Sequence, residues 1–214
     1  MAHIDIVEGA RDADIAEWIA TRLGAELRKN EAPVAICVPG GTTPFPILEI
    51  LSKHELDWGR VTVWPGDDRL VAEDHPASNT GRIRALLEPA GAEVVTLSEM
   101  EEVPRFALAW LGMGADGHTA SIFVGPDLQA ALDAPKARRA IGVLPDPLPA
   151  EAEVARVTLT RAAILSARTV LITITGQQKR DLLEQAIADG QSSKLPIGRV
   201  LAEAEQPIDI HWAP

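Results

Sequence analysis

The segment Leu111–Phe123, LGMGADGHTASIF, sets an aspartate and a histidine two positions apart among three glycines. Histidine titrates near pH ~6.5 in water, which makes His118 a candidate general base at neutral pH. Asp116 can accept a hydrogen bond from one ring nitrogen and fix the tautomer, as the orienting member of a triad does. The plainer alternatives are a helix cap for Asp116 and a satisfied structural histidine for His118. A helix beginning at this histidine would turn the positive end of its dipole toward the ring and favour the neutral base. The glycines, Gly112, Gly114 and Gly117, also carry the G-x-G-x-x-G spacing of a dinucleotide-binding turn. Asp116 argues against that use, because its charge repels a pyrophosphate. So does the mid-chain position, since the fingerprint opens the first βαβ unit.

Three further stretches carry polar chemistry. PGGTTP, residues 39–44, offers Gly40 and Gly41, the hydroxyls of Thr42 and Thr43 and a helix start with proline in its first turn, a setting suited to a phosphate. It lacks the lysine of a P-loop, which disfavours a nucleoside triphosphate. GDDR, residues 66–69, brings Asp67, Asp68 and Arg69 directly after a strand, and Arg69 could pair a carboxylate or stabilise an oxyanion. Ser78 and Asn79 read as the N-cap region of a following helix, and Lys179 stands in the first turn of another. A solvated acidic patch and an ordinary strand-to-helix turn are the bland readings of the same stretches.

These groups need elements to position them. Apolar runs alternate with helical patterns, the pattern of an α/β protein with a mostly parallel sheet. Strands are expected at Ile4–Val7, Val34–Val38, Val61–Trp64, Glu93–Leu97, Ala107–Leu111, Arg156–Thr160, Thr169–Thr175 and the closing IDIHW. Ile15, Ile19, Leu23 and Leu27 step by four through a helix over Asp12–Lys29. Shorter helices are expected over FPILEILSK and Thr80–Leu87, and one from Gln177 stopped by Gly190. Residues 125–149 read as irregular and LPIGRVL as a turn. The three glycine-rich or charged junctions all follow strands, so in a parallel sheet they converge on one crevice at the carboxyl ends.

The 214 residues suit a single domain over 1–214, and 46% hydrophobic with 24% charged residues is a soluble globular profile. No apolar run reaches the roughly 18 residues of a membrane span. The acidic N-terminus lacks the regions of a signal peptide, and a single cysteine, Cys37, fits a reducing cytoplasm. A net charge of -11 disfavours nucleic acid and anionic membranes as partners. An anionic ligand would therefore rest on a few local cations and backbone N–H groups.

PGGTTP, WPGDDR followed by SN, LGMGADGHTASIF, RVTLT and TGQQK occur in an order, spanning nearly the whole chain, that resembles the 6-phosphogluconolactonase family, relatives of glucosamine-6-phosphate deaminase. The resemblance implies a single Rossmann-like α/β domain and a hydrolase of the pentose phosphate pathway with neither cofactor nor metal. The implied substrate is 6-phospho-D-glucono-1,5-lactone, and the implied quaternary state is a monomer or homodimer. Carried over by position, His118 is similar to the family's general base. Arg69 matches its oxyanion-stabilising arginine, with Asp67 beside it. Gly40, Gly41, Thr42, Thr43, Asn79 and Lys179 match substrate- and phosphate-binding positions, with Arg156 or Arg199 as a second cation. The deaminase relatives follow their histidine with an asparagine and a glutamate and use a tyrosine after the acidic pair. Here the stretch is TASIF and the chain has no tyrosine. A non-catalytic phosphosugar sensor is the other alternative, but such regulators add a DNA-binding domain, and this chain starts directly on its first strand. Relative to the family, Asp68 replaces a usual glutamate. The stretch between Arg69 and His118 looks short by about one helix, which would expose a flank of the sheet or leave it to a dimer partner.

Overall fold

The computed structural model describes residues 2–133, 138–150 and 153–214. In chain order it forms β1 (Ile4–Glu8), α1 (Asp12–Lys29), β2 (Val34–Val38), α2 (Pro44–Leu51), β3 (Val61–Pro65), β4 (Asp67–Arg69), α3 (Asn79–Leu87), β5 (Glu93–Val94) and β6 (Leu108–Leu111). There follow α4 (Leu128–Asp133), β7 (Ala140–Val143), β8 (Arg156–Leu159), α5 (Arg161–Leu165), β9 (Thr169–Thr175), α6 (Gln177–Asp189), α7 (Pro196–Leu201) and β10 (Ile208–Ala213). Seven strands pair in parallel in the order β1-β10-β9-β6-β2-β3-β5. Among the described residues, no helix is long and apolar enough to cross a membrane.

The sheet is covered on both faces, which is why its central strands β2 and β6 are apolar at every position. Val34, Ile36 and Val38 of β2 join a core beneath α1, α2 and α3. Ala35 and Cys37, pointing the other way, join a core shared with α5, α6 and α7. The four-residue step of α1 has the expected bounds, and Ile15, Ile19, Leu23 and Leu27 are all buried. Its charges complement the helix dipole, with Asp12 and Asp14 in the first turn and Arg28 and Lys29 in the last.

Several expectations are corrected. DDR is a strand, not a loop: β4 pairs antiparallel with β8, and β8 with β7, in a separate three-stranded sheet. Three polar residues carry no apolar periodicity, so only their distant partner makes them a strand. Residues 125–149 contain α4 and β7, and LPIGRVL forms the helix α7. The strand expected over Glu93–Leu97 stops at Val94. Residues 95–107 contain no helix, as their shortness implied, yet they do not leave the sheet bare. Leu97, Val103 and Phe106 are buried in the core on that face. Phe106 meets Trp64 edge to face, ring centroids 6.2 Å apart, and Met100 bridges to Ala140. An extended segment does the covering.

Beneath α1 lies a buried polar group that the sequence does not advertise. His211 on β10 is 3% exposed, neither ring nitrogen has a hydrogen-bond partner among the described residues, and the ring meets Trp18 edge to face at 5.2 Å. Burial, with a smaller contribution from Arg22, pushes the imidazole below its ordinary value. The folded protein thus disfavours a proton that the unfolded chain accepts at about pH 6.5. His211 supports the fold fully above that pH, and its contribution is lost as pH falls from about 6.5 toward the lowered folded value. Melting curves should show Tm falling between pH 7 and 5, at about 2–4 °C per kcal/mol lost in a chain of this size. In His211→Phe, which keeps a ring against Trp18, that decline should be shallower. Equal slopes for the two proteins would refute the assignment.

Candidate active site

The sheet order reverses between β2 and β6. From β2 the chain moves outward to β3 and β5, while from β6 it moves the other way to β9 and β10, beside the edge strand β1. Connections therefore leave the carboxyl ends of these neighbours in opposite directions and open a crevice between them. Residues 39–44 follow β2 and residues 112–118 follow β6, so both loops meet there. A cavity of about 220 Å³ lies at this point, walled by Pro39 to Pro44, Gly112 to Gly114 and Thr173 to Thr175. Into it come Asp67, Arg69, Asn79, His118, Arg156 and Lys179. The expected convergence is present, with contributions from both sheets.

His118 does not begin a helix. Residues 112–127 form turns and α4 starts only at Leu128. The loop satisfies itself instead: Gly114 N–H donates to the His118 carbonyl at 2.9 Å, and the Thr119 hydroxyl to the Gly112 carbonyl at 2.9 Å. Such local bonds compete with a helical ladder. Ala120 also holds φ at 50°, a left-handed value unusual for a residue with a Cβ. The glycine spacing serves packing. A Cβ on Gly114 would land on the His118 ring, and one on Gly117, where φ is 78°, would come within 2.7 Å of Leu195.

The helix-dipole argument therefore falls away, and what orients the ring is a hydrogen bond. His118 Nδ1 lies 2.5 Å from Asp116 Oδ1, which also accepts the His118 backbone N–H at 3.2 Å. The bond to His118 is the largest influence on Asp116 and holds its carboxyl down at about 2. An ionised carboxylate only accepts, so Nδ1 carries the proton and Nε2 is the basic nitrogen. Asp116 caps no helix.

Asp67 and Asp68 are neighbours with different duties, because successive strand residues point to opposite faces. Asp67, 6% exposed, lines the cavity and accepts the Ser121 hydroxyl. Asp68, equally buried, turns to the start of α3. It accepts the backbone N–H of Asn79 at 2.7 Å and of Thr80 at 2.9 Å, the hydroxyls of Ser78 and Thr80, and the Arg69 N–H at 2.8 Å. Ser78 is the N-cap of α3, as expected, its hydroxyl accepting from Gly81 N–H at 3.0 Å. Asn79 then links both aspartates to the arginine. Its Oδ1 accepts Arg69 Nη1 at 3.0 Å and its Nδ2 donates to the Asp67 carbonyl at 2.9 Å. Arg69 Nε is buried with no partner among the described residues.

Among the described residues the cavity carries three cationic side chains, Arg69, Arg156 and Lys179, against the single carboxylate Asp67. In a chain of charge -11 this is a local inversion of sign. Lys179 lies in the first turn of α6 and donates to the Met113 carbonyl at 2.7 Å, leaving two ammonium hydrogens for a ligand. Gly40, Gly41, Thr42 and Thr43 form the wall ahead of α2. Arg156 is 3% exposed and lines the cavity. Arg199 does not line it; its Nη2 reaches Gln129 Oε1 at 3.3 Å near α4. Of the two arginines expected as alternatives, Arg156 lines the cavity and Arg199 does not. Sequence reasoning missed Ser121, Thr158, whose hydroxyl accepts the Ser121 N–H at 3.1 Å, and Phe123. The alternation of DDR on a strand would have separated the two aspartates, but no local signal announces that strand.

The chain was compared with known proteins. The sequence model of the family described as glucosamine-6-phosphate isomerases/6-phosphogluconolactonase matches residues 9–97 and 88–212. A 6-phosphogluconolactonase of Pseudomonas putida is 34% identical, the match covering 94% of this chain and 88% of that protein. One from Rhizobium meliloti is also 34% identical, covering 94% of each. The crystal structure of a 6-phosphogluconolactonase from Shewanella baltica superposes with a TM-score of 0.85 at 29% identity, over 100% of this chain and 98% of that one. The chain belongs to the 6-phosphogluconolactonase family, within the glucosamine-6-phosphate isomerase/6-phosphogluconolactonase superfamily.

Proposed function

We propose that this protein hydrolyses 6-phospho-D-glucono-1,5-lactone to 6-phosphogluconate, the lactone-opening step of the oxidative pentose phosphate pathway. The observation that carries the reading is the meeting of an Asp116-oriented His118 with Arg69, Arg156 and Lys179 around one cavity. The names of the relatives support it.

In the proposed mechanism His118 Nε2 takes a proton from water, whose oxygen adds to C1. The carbonyl electron pair moves to oxygen, where the Arg69 guanidinium stabilises it. Collapse re-forms the carbonyl and breaks the bond from C1 to the ring oxygen, which receives the proton from the imidazolium. A general base is worth about 10²–10⁴ in rate and an oxyanion donor about 10²–10³. The phosphate would rest on Gly40, Gly41, Thr42, Thr43, Lys179 and Arg156. That remote anchor fixes the ring against the base. The step transfers no hydride and changes no oxidation state.

The deciding assay follows freshly generated 6-phosphogluconolactone above its spontaneous opening, with glucosamine 6-phosphate in parallel. Enzyme-dependent lactone loss, much slower on the unphosphorylated lactone, is the expected result. Ammonia release from the amino sugar would point to the deaminase reading, and binding without turnover to the sensor. Either would overturn the proposal.

A further inference from the structure

Phe123 ends the same loop that carries His118, yet nothing in the hydrolytic scheme uses it. Its ring stacks on the His118 imidazole, centroids 4.2 Å apart and planes inclined by 26°. The Arg156 guanidinium carbon lies 5.4 Å from the centroid of the same ring. One aromatic side chain thus touches both the candidate base and a candidate phosphate cation.

We propose that Phe123 is a positioning residue that holds the His118 ring against Asp116 and keeps it in register with Arg156. The imidazole is held at Cβ by its own side chain and at Nδ1 by Asp116, which leaves it free to tilt about the line between those two points. A flat ring against the imidazole face removes this freedom, as a third, non-collinear constraint must. His118 is only partly buried, with its side chain 30% exposed, so no enclosing wall does the work instead. The neighbouring backbone is already committed. Ala120 stands at a left-handed φ, Ser121 is tied to Asp67 and Thr158, and the Ile122 N–H donates to the Thr119 carbonyl at 2.9 Å. These bonds aim the Phe123 ring at its two neighbours.

The proposal rests on His118 acting as the base, and its test has a readout that does not depend on turnover. Phe123→Leu removes the flat ring while keeping an apolar side chain, and Phe123→Tyr keeps the ring. Long-range nitrogen–proton NMR on imidazole-labelled protein should show wild-type His118 as one tautomer, protonated at Nδ1. In Phe123→Leu it should become a mixture, and in Phe123→Tyr it should return to one form. For lactone hydrolysis, Phe123→Leu should lower kcat about tenfold, the scale of one aromatic contact, and raise KM through Arg156. Phe123→Tyr should restore both. A Phe123→Leu protein with wild-type tautomer and kcat overturns the positioning role. If the wild type fails to open the lactone at all, the functional reading falls while the NMR result still decides for or against the ring.

Discussion

Replacing His118 with alanine is expected to abolish hydrolysis of the phosphorylated lactone above its spontaneous rate, a loss of about 10²–10⁴ in kcat. The fold should survive, because the loop is braced mainly through backbone groups. Gly114 donates to the His118 carbonyl and Gly117 N–H to the Gly114 carbonyl at 3.0 Å, while Ile197 N–H donates to the Gly117 carbonyl at 3.0 Å. None of these uses the imidazole. The pH dependence separates the two members of the pair. Asp116 has a folded value lowered to about 2, so its carboxylate persists above the unfolded value and is lost only as pH falls through about 2. An acid limb of the rate anywhere above pH 4 therefore belongs to a group other than Asp116. Asp116→Asn keeps an acceptor oxygen but not the charge, and should lower kcat less than His118→Ala. A folded His118→Ala protein with wild-type turnover would remove the base from the mechanism.

The convergence of these residues was legible because it depends on topology. Alternating strands and helices imply a parallel sheet, and the charged or glycine-rich junctions all follow strands, so Pro39–Pro44 and Gly112–His118 had to share an edge. The four-residue step of α1 was legible for the same kind of reason, as periodicity is a local property. What was not legible depends on partners far along the chain. Asp67–Arg69 is a strand only because Arg156–Leu159 pairs with it. Ser121 matters only because Asp67 lies across the loop from it. The helix expected at His118 failed on local bonds that the glycine spacing conceals, since a G-x-G-x-x-G turn and a self-braced histidine loop begin alike. Which of Arg156 and Arg199 lines the cavity also needed the fold, since no local pattern separates them.

Asp68 supplies the largest expected effect on stability, although it touches no candidate reacting group. Its carboxylate is buried and accepts two backbone amides at the start of α3, two hydroxyls and the Arg69 N–H. Asp68→Ala would strand these donors away from water and remove a negative charge from a helix N-terminus, where the dipole favours it. Leaving a buried donor unsatisfied costs about 1–3 kcal/mol, so several at once cost about 3–5 kcal/mol. In a chain of this length that reads as a Tm lower by roughly 10 °C. The loss should also reach the chemistry, because Asn79, held by Asp68 through its N–H, in turn holds Arg69. Activity measured well below the melting transition should therefore fall in kcat, while binding of the phosphate end changes little. Asp67→Asn makes the contrast. It lies on the opposite face of the same strand, keeps an oxygen for Ser121, and should alter turnover with a far smaller change in Tm. Denaturant titrations of the two variants give the test. If Asp68→Ala unfolds within 1 kcal/mol of the wild type, or if Asp67→Asn is the less stable of the two, the division of labour between the paired aspartates is wrong.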